Sequence, residues 1–160
     1  MSYRVGQGYD VHQFCDDKPL ILGGVTIPFE KGLLGHSDAD VLTHAMMDAF
    51  LGALSLGSLG DHFPDTDPVY EGSDSMVLLD HVLRLIRDKG FDVVNVDSTV
   101  VTERPKLQPF VASIRGSLAD RMGIDLERVS VKATTSEKMG FVGRQEGIAV
   151  HTVALLERKE

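Results

Sequence analysis

The sequence predicts an α+β domain: a mixed four-stranded sheet with helices packed on one face, plus a small N-terminal hairpin. Two observations carry that expectation. The chain has 160 residues, which fits one core spanning residues 1–160. Its hydrophobic spacing also switches between alternation and helical period, in the order strand, hairpin, helix, helix, strand, helix, strand, strand. Helices gathered on one side leave the other sheet face to be covered, and a symmetric oligomer is one way to cover it.

The elements follow in order. Residues 3–12 alternate as a strand does. Apolar triplets at 20–22 and 25–27 flank Gly23-Gly24, a hairpin signal. Ser37-x-x-Asp40 reads as a variant capping box opening a helix. Val41, Leu42, Ala45, Met46, Ala49, Phe50 and Ala53 then mark one helical face. Gly57, Gly60 and Pro64 form a loop. A second helix is expected over 75–89, with Met76, Leu79, Val82, Leu83 and Ile86 inward and Gly90 as its stop. Residues 93–101 are rich in β-branched side chains and predict a strand. Pro105 and Pro109 bracket the start of a third helix that buries Val111, Ile114, Leu118 and Met122 and stops at Gly123. Residues 129–135 and 148–156 complete the strands.

Composition excludes several classes. The net charge of −8 argues against a general nucleic-acid binder. No apolar run reaches the ~20 residues of a membrane span, and the N-terminal residues lack a signal-peptide core. The single cysteine, Cys15, gives no disulfide framework, so a cytoplasmic location is expected. Charge is uneven. Residues 104–144 hold eight basic and four acidic side chains, a balance of +4, which leaves −12 for the rest. That suits a small anionic ligand, or it is a solvated helix face.

Four stretches carry chemistry. Asp10 and His12 point to one side of the first strand, and His44 sits on the first helix in register with Asp40 and Asp48. One carboxylate and two imidazoles suit Zn²⁺, with the fourth position left for substrate. The alternative is a chance D-x-H and a hydrogen-bonded helix histidine. Gly32-Leu33-Leu34-Gly35-His36-Ser37 leads into a helix N-terminus that favours an anion, or Ser37 simply caps it. Lys132-Ala133-Thr134-Thr135-Ser136-Glu137 ends a strand in hydroxyls that can cradle a diphosphate and a carboxylate that can hold Mg²⁺, or it is an ordinary strand end. Arg144 follows a Gly-rich turn and reads as a phosphate ligand or an ion-pair partner. His62, His81 and His151 read as structural.

Together Gly8-Tyr9-Asp10-Val11-His12, Leu34-Gly35-His36-Ser37-Asp38-Ala39-Asp40-Val41, His44, Phe63-Pro64-Asp65-Thr66-Asp67, Pro105-Lys106-Leu107, Lys132-Ala133-Thr134-Thr135-Ser136-Glu137-Lys138 and Gly140-Phe141-Val142-Gly143-Arg144-Gln145-Glu146-Gly147 resemble the 2-C-methyl-D-erythritol 2,4-cyclodiphosphate synthases of the non-mevalonate isoprenoid pathway. The likeness runs from Arg4 to Leu156. It implies a homotrimer with sites between subunits and a reaction in which a CDP-linked methylerythritol 2-phosphate cyclises and releases CMP. It implies Zn²⁺, or another divalent transition metal, on Asp10, His12 and His44, and Mg²⁺ or Mn²⁺ on Glu137 between the substrate phosphates. His36 and Thr135 resemble the residues that stabilise the transition state. Ser37, Asp40, Ser58, Gly60, Phe63, Pro64, Asp65, Thr66 and Asp67 match the methylerythritol phosphate pocket. Thr102, Pro105, Lys106, Leu107 and Thr134 match the cytidine pocket. Phe141 and Arg144 resemble residues of an axial cavity suggested to hold an isoprenoid diphosphate. Ser58 stands where the family usually has Asp, and Thr102-Glu103-Arg104 where more apolar residues are usual. Two rival classes are a zinc hydrolase of phosphate esters or amides and a non-catalytic ligand-binding module.

Overall fold

The computed structural model describes residues 2–159; Met1 and Glu160, the end points of the expected domain, lie outside them. The first strand, β1 (Tyr3–Cys15), pairs antiparallel with the last, β7 (Gly147–Arg158). Strand β5 (Phe91–Val101) lies on the other side of β7, also antiparallel, and β6 (Val129–Thr134) runs parallel to β5. These are the four expected strands. The sheet has five, however, in the order β4-β1-β7-β5-β6. The fifth is β4 (Gly32–Leu33), two residues on the edge beside Phe14 and Cys15. Two residues carry no readable period, and the sequence places them only in the stretch that leads to a helix N-terminus. The hairpin of β2 (Leu20–Leu22) and β3 (Val25–Ile27) forms as expected, with Gly23 and Gly24 both at positive φ.

Three helices cover one face: α1 (Val41–Ala53), α3 (Ser75–Asp88) and α4 (Val111–Met122). Two one-turn helices, α2 (Leu59–His62) and α5 (Gly140–Gly143), are too short for a hydrophobic period to announce. Gly123 ends α4 in the left-handed conformation at φ 69°, as expected of a glycine stop. The start of α1 corrects the sequence reading. Asp40, not Ser37, is its N-cap and accepts the amide of Thr43, because Ala39 at φ 59° breaks the chain one residue earlier.

The packing of α1 on β1 sets the site. A Cβ at Gly8 would lie 1.9 Å from the carbonyl oxygen of Ala45, and one at Gly6 1.8 Å from that of Ala49. Glycine is required so that the helix can rest on the strand backbone. Two strand residues rise ~6.7 Å and four helix residues ~6 Å, so the two elements stay nearly in step, running antiparallel. The next helix-facing strand positions after Gly6 and Gly8 are Asp10 and His12. The next turn of α1 is the one that carries His44, whose Cβ tilts back toward the helix start. The core lies between this sheet face and the helices, with Phe50, Met46, Leu79, Ile86, Val100, Ile114, Ile148 and Val150 buried. The opposite sheet face leaves Val5, Tyr9, Val11 and Val153 exposed.

Candidate metal centre and active site

Asp10, His12 and His44 converge. Asp10 Oδ2 lies 2.9 Å from His12 Nε2 and 3.2 Å from His44 Nδ1. The two ring nitrogens are 3.2 Å apart. A tetrahedral ion with bonds of ~2.0–2.1 Å separates its ligands by ~3.3 Å, so these three atoms already stand at the spacing of three corners. Each histidine spends its far nitrogen elsewhere. His12 Nδ1–H donates to the carbonyl of Leu34 at 2.6 Å. His44 Nε2 meets Ser75 Oγ at 2.8 Å and Ser37 Oγ at 3.1 Å. His12 Nε2 is therefore free to present a lone pair, and His44 Nδ1 is equally free when Nε2–H donates to the serine oxygens, the arrangement that second partners impose on metal-binding imidazoles. The unpredicted edge strand matters here: pairing of β4 with β1 delivers the Leu34 carbonyl, whose amide also bonds Gln13 O at 2.8 Å.

The electrostatics agree. Burial alone would push the Asp10 carboxyl up. The hydrogen bonds and charges of His12 and His44 outweigh it and hold the carboxyl down at about 2. Burial alone would lower His12, but Asp10 and the Leu34 carbonyl outweigh it and raise the imidazole above its usual value. The residues fit a divalent cation: an ionised carboxylate and two oriented imidazoles around one point, with His44 nearly buried. No other cluster of three such groups occurs among the described residues.

The remaining expected residues divide into three places. His36 and residues 63–67 come together on one side of the cradle, where His36 Nε2 lies 3.3 Å from the carbonyl of Asp67. Phe63 packs edge-on against Tyr70 and His81, which anchors this loop, while Asp65 and Thr66 are exposed. Ser58 stands at the N-cap of α2, where its amide and hydroxyl donate to the Asp61 carboxylate at 2.7 and 2.9 Å, and Gly60 lies inside that turn. The second place is a cavity of about 290 Å³ at the C-terminal ends of β5 and β6, lined by Thr102, Glu103, Pro105, Lys106, Leu107, Gln108, Ala133, Thr134 and Thr135. Glu137 stands exposed beside it, with its carboxylate 3.5 Å from Thr135 Oγ1. The third place is the uncovered sheet face, where Phe141 lines cavities of about 220 and 400 Å³. Arg144, also exposed, pairs with Glu146 at 2.7 Å.

Two expected substrate contacts have other occupations. Asp40 is fully buried, and its carboxylate is filled by the amides of Gly23, Gly24 and Thr43 and the hydroxyl of Thr43, at 2.8–3.0 Å. It pins the hairpin to α1 and is not exposed to substrate. Burial raises its carboxyl, with those amides pulling the other way. Ser37 neither caps the helix nor stands free, since its hydroxyl lies against His44.

Sequence reasoning missed Glu103 as a supporting group. Its carboxylate accepts the amides of Ser136 (2.9 Å) and Lys138 (3.2 Å) and the Ser136 hydroxyl (3.2 Å), tying the turn of Glu137 and Lys138, both at positive φ, to the cavity loop. The one available signal was that an acid stands where the resemblance leads one to expect an apolar residue.

An α+β domain that gathers a carboxylate and two imidazoles about one point, with a threonine-rimmed cavity at the same end of its sheet, belongs to the class of proteins with a site compatible with a divalent cation. Comparison with known proteins narrows that class. The YgbB family matches over residues 3–157. A relative from Trichlorobacter lovleyi, named 2-C-methyl-D-erythritol 2,4-cyclodiphosphate synthase, is 56% identical over 153 residues, covering 96% of this chain and 98% of its own. Among solved structures, the bifunctional IspDF of Campylobacter jejuni matches with TM-score 0.96 and 42% identity over 99% of this chain, which spans 43% of that longer chain. A 2C-methyl-D-erythritol-2,4-cyclodiphosphate synthase in its CDP-bound form matches with TM-score 0.89 and 35% identity, over 96% of this chain and 100% of its own. The chain belongs to the YgbB family, the cyclodiphosphate synthases of isoprenoid biosynthesis.

Proposed function

We propose that residues 1–160 act as one catalytic domain, a phosphorus–oxygen lyase that converts 4-diphosphocytidyl-2-C-methyl-D-erythritol 2-phosphate to the 2,4-cyclodiphosphate and CMP. The convergence of Asp10, His12 and His44 is the observation that carries this reading. An oxygen of the 2-phosphate attacks the β-phosphorus, the bond from that phosphorus to the bridging oxygen breaks, and CMP leaves with the bridging oxygen. Attack is intramolecular, so no protein nucleophile is required, and the chain has only to position and neutralise. When bound, Zn²⁺ or another divalent transition metal in the cradle, and Mg²⁺ or Mn²⁺ at Glu137, supply Lewis-acid polarisation of phosphoryl oxygens.

The chain's own residues do the rest. Asp10, His12 and His44 hold the first ion; Glu137 offers the hard oxygen that the second prefers. His36 and Thr135 donate hydrogen bonds to phosphate oxygens as charge moves toward the leaving group. Residues 63–67 with Ser58 and Gly60 receive the methylerythritol phosphate. Thr102, Pro105, Lys106, Leu107 and Thr134 receive the cytidine, in keeping with a neighbour in the same family whose structure is described as CDP-bound. The metal cradle and the 290 Å³ cavity share no residue. That supports a homotrimer in which one subunit's cavity completes its neighbour's cradle, the apolar sheet face of Tyr9, Val11 and Val153 being the covered surface. In such a trimer Phe141 and Arg144 would border a shared axial cavity able to take an isoprenoid diphosphate. A lone cysteine is in keeping with a cytoplasmic setting.

His44→Ala tests the reading. Bound zinc should be lost and CMP release should fall at least about a thousandfold. Full turnover with zinc retained would remove the mechanism. Running the reaction in ¹⁸O-water separates it from a zinc hydrolase, since internal transfer leaves the solvent label out of the product.

A further inference from the structure

We propose that Asp38 and Ser75 are positioning residues for the metal centre, acting through a directed hydrogen-bond relay that sets which nitrogen of His44 carries its proton. Asp38 lies in the loop before α1, and Ser75 is the first residue of α3. The carboxylate of Asp38 takes both donors that Ser75 offers. Its Oδ2 accepts the Ser75 amide at 3.0 Å, and its Oδ1 accepts the Ser75 hydroxyl in a short bond. A serine hydroxyl has one proton, and here Asp38 takes it. The face of Ser75 Oγ that meets His44 Nε2 at 2.8 Å can then only accept. Nε2 must carry the hydrogen, and Nδ1 is left with the lone pair it turns on Asp10 and His12. Ser75 is fully buried and His44 nearly so, so water cannot substitute readily for either partner. Ser37 Oγ lies 3.1 Å from the same nitrogen and accepts the amide of Ala39 at 3.3 Å, which leaves it a lone pair able to accept Nε2–H as well.

This rests on the metal reading of the cradle, and two readouts keep the two separable. The first is Zn²⁺ affinity, by competition with a chromophoric chelator, for the wild type, Asp38→Asn and Ser75→Ala. The second is the ¹⁵N shift of the His44 ring in the metal-free proteins. Asparagine keeps an oxygen for the Ser75 amide but turns a donor toward the hydroxyl. The hydroxyl then donates to His44, and the proton moves to Nδ1. Expected results are a 10- to 100-fold weaker zinc site in both variants and a His44 protonated on Nδ1 in Asp38→Asn. Both variants should keep the far-ultraviolet circular dichroism of the wild type. Zinc affinities within twofold of wild type in both folded variants, or a His44 that keeps its proton on Nε2 in Asp38→Asn, would overturn the relay. A wild type that binds no zinc but shows the tautomer switch would remove the metal reading and leave the relay standing.

Discussion

The cradle of Asp10, His12 and His44 and the threonine rim are both built at one end of the sheet, yet they are made differently. Each cradle histidine has its outer nitrogen tied to a group of the same chain, and Asp10 is held by both rings. The rim around Thr134, Thr135 and Glu137 is exposed, and its turn passes through two residues at positive φ held mainly by Glu103. The donors of an ion site must keep a close spacing, and here partnered side chains on a packed strand and helix keep it. The rim, by contrast, leaves its hydroxyls and the Glu137 carboxylate open to solvent.

That contrast is broken most directly by one substitution on each side. Asp10→Ala removes the only carboxylate of the cradle, so zinc binding should disappear and turnover should fall at least about a thousandfold. Thr135→Ala should keep stoichiometric zinc while turnover falls about a hundredfold, the scale of one lost transition-state donor. Equal zinc loss in the two variants would mean that the regions are not independent.

Gly8→Ala attacks the cradle from below. The added Cβ must push α1 off the strand, since the Ala45 carbonyl is backbone and cannot turn away. We expect at least about 2 kcal/mol of destabilisation, read as a melting shift of about 5 °C or more, together with weaker zinc binding because His44 moves with the helix.

Acidity separates the cradle residues from one another. In the metal-free protein the raised His12 contributes stability that is complete below its ordinary value of 6.5 and is lost as pH rises through its folded value. Asp10 has the opposite sign. Its contribution, on the order of 2 kcal/mol, is present above 3.8 and is lost as pH falls toward about 2. Zinc requires neutral imidazoles, so its affinity should rise with pH while the metal-free fold weakens. Below the folded value of His12 affinity should drop about tenfold per pH unit. Zinc titrations from pH 5 to 8 beside melting curves of the metal-free protein check both signs, and parallel trends would refute the pairing.

The smallest effect belongs to the rim. Glu103→Ala removes the acceptor for three donors of the 136–138 turn, which water can largely replace at this exposed position. KM for the CDP-linked substrate should rise about three- to tenfold, with kcat and zinc content unchanged.

Periodicity made the four long strands and the three covering helices legible, because each repeats a pattern over enough residues to be read, and Gly23-Gly24 between two apolar triplets marked the hairpin. Motif order made the residues of the cradle legible as a set. Elements of two to four residues with no turn signal between them were not, and β4 shows the consequence: the strand with no readable signal is the one that brings the Leu34 carbonyl to His12. Asp40 shows the reverse. Its place in a motif suggested a substrate contact, whereas burial beside Gly23 and Gly24 makes it a structural acceptor.

What the sequence determined alone is therefore the inventory: which carboxylates, imidazoles and hydroxyls exist, and on which long elements they ride. Tertiary structure decided which of them face one another and which nitrogen each imidazole turns inward. The reason is physical: propensity and hydrophobic spacing act between residues close in the chain. The cradle instead depends on contacts between residues 10 and 44, 12 and 34, and 44 and 75, which form only once α1 has settled on the two glycines of β1.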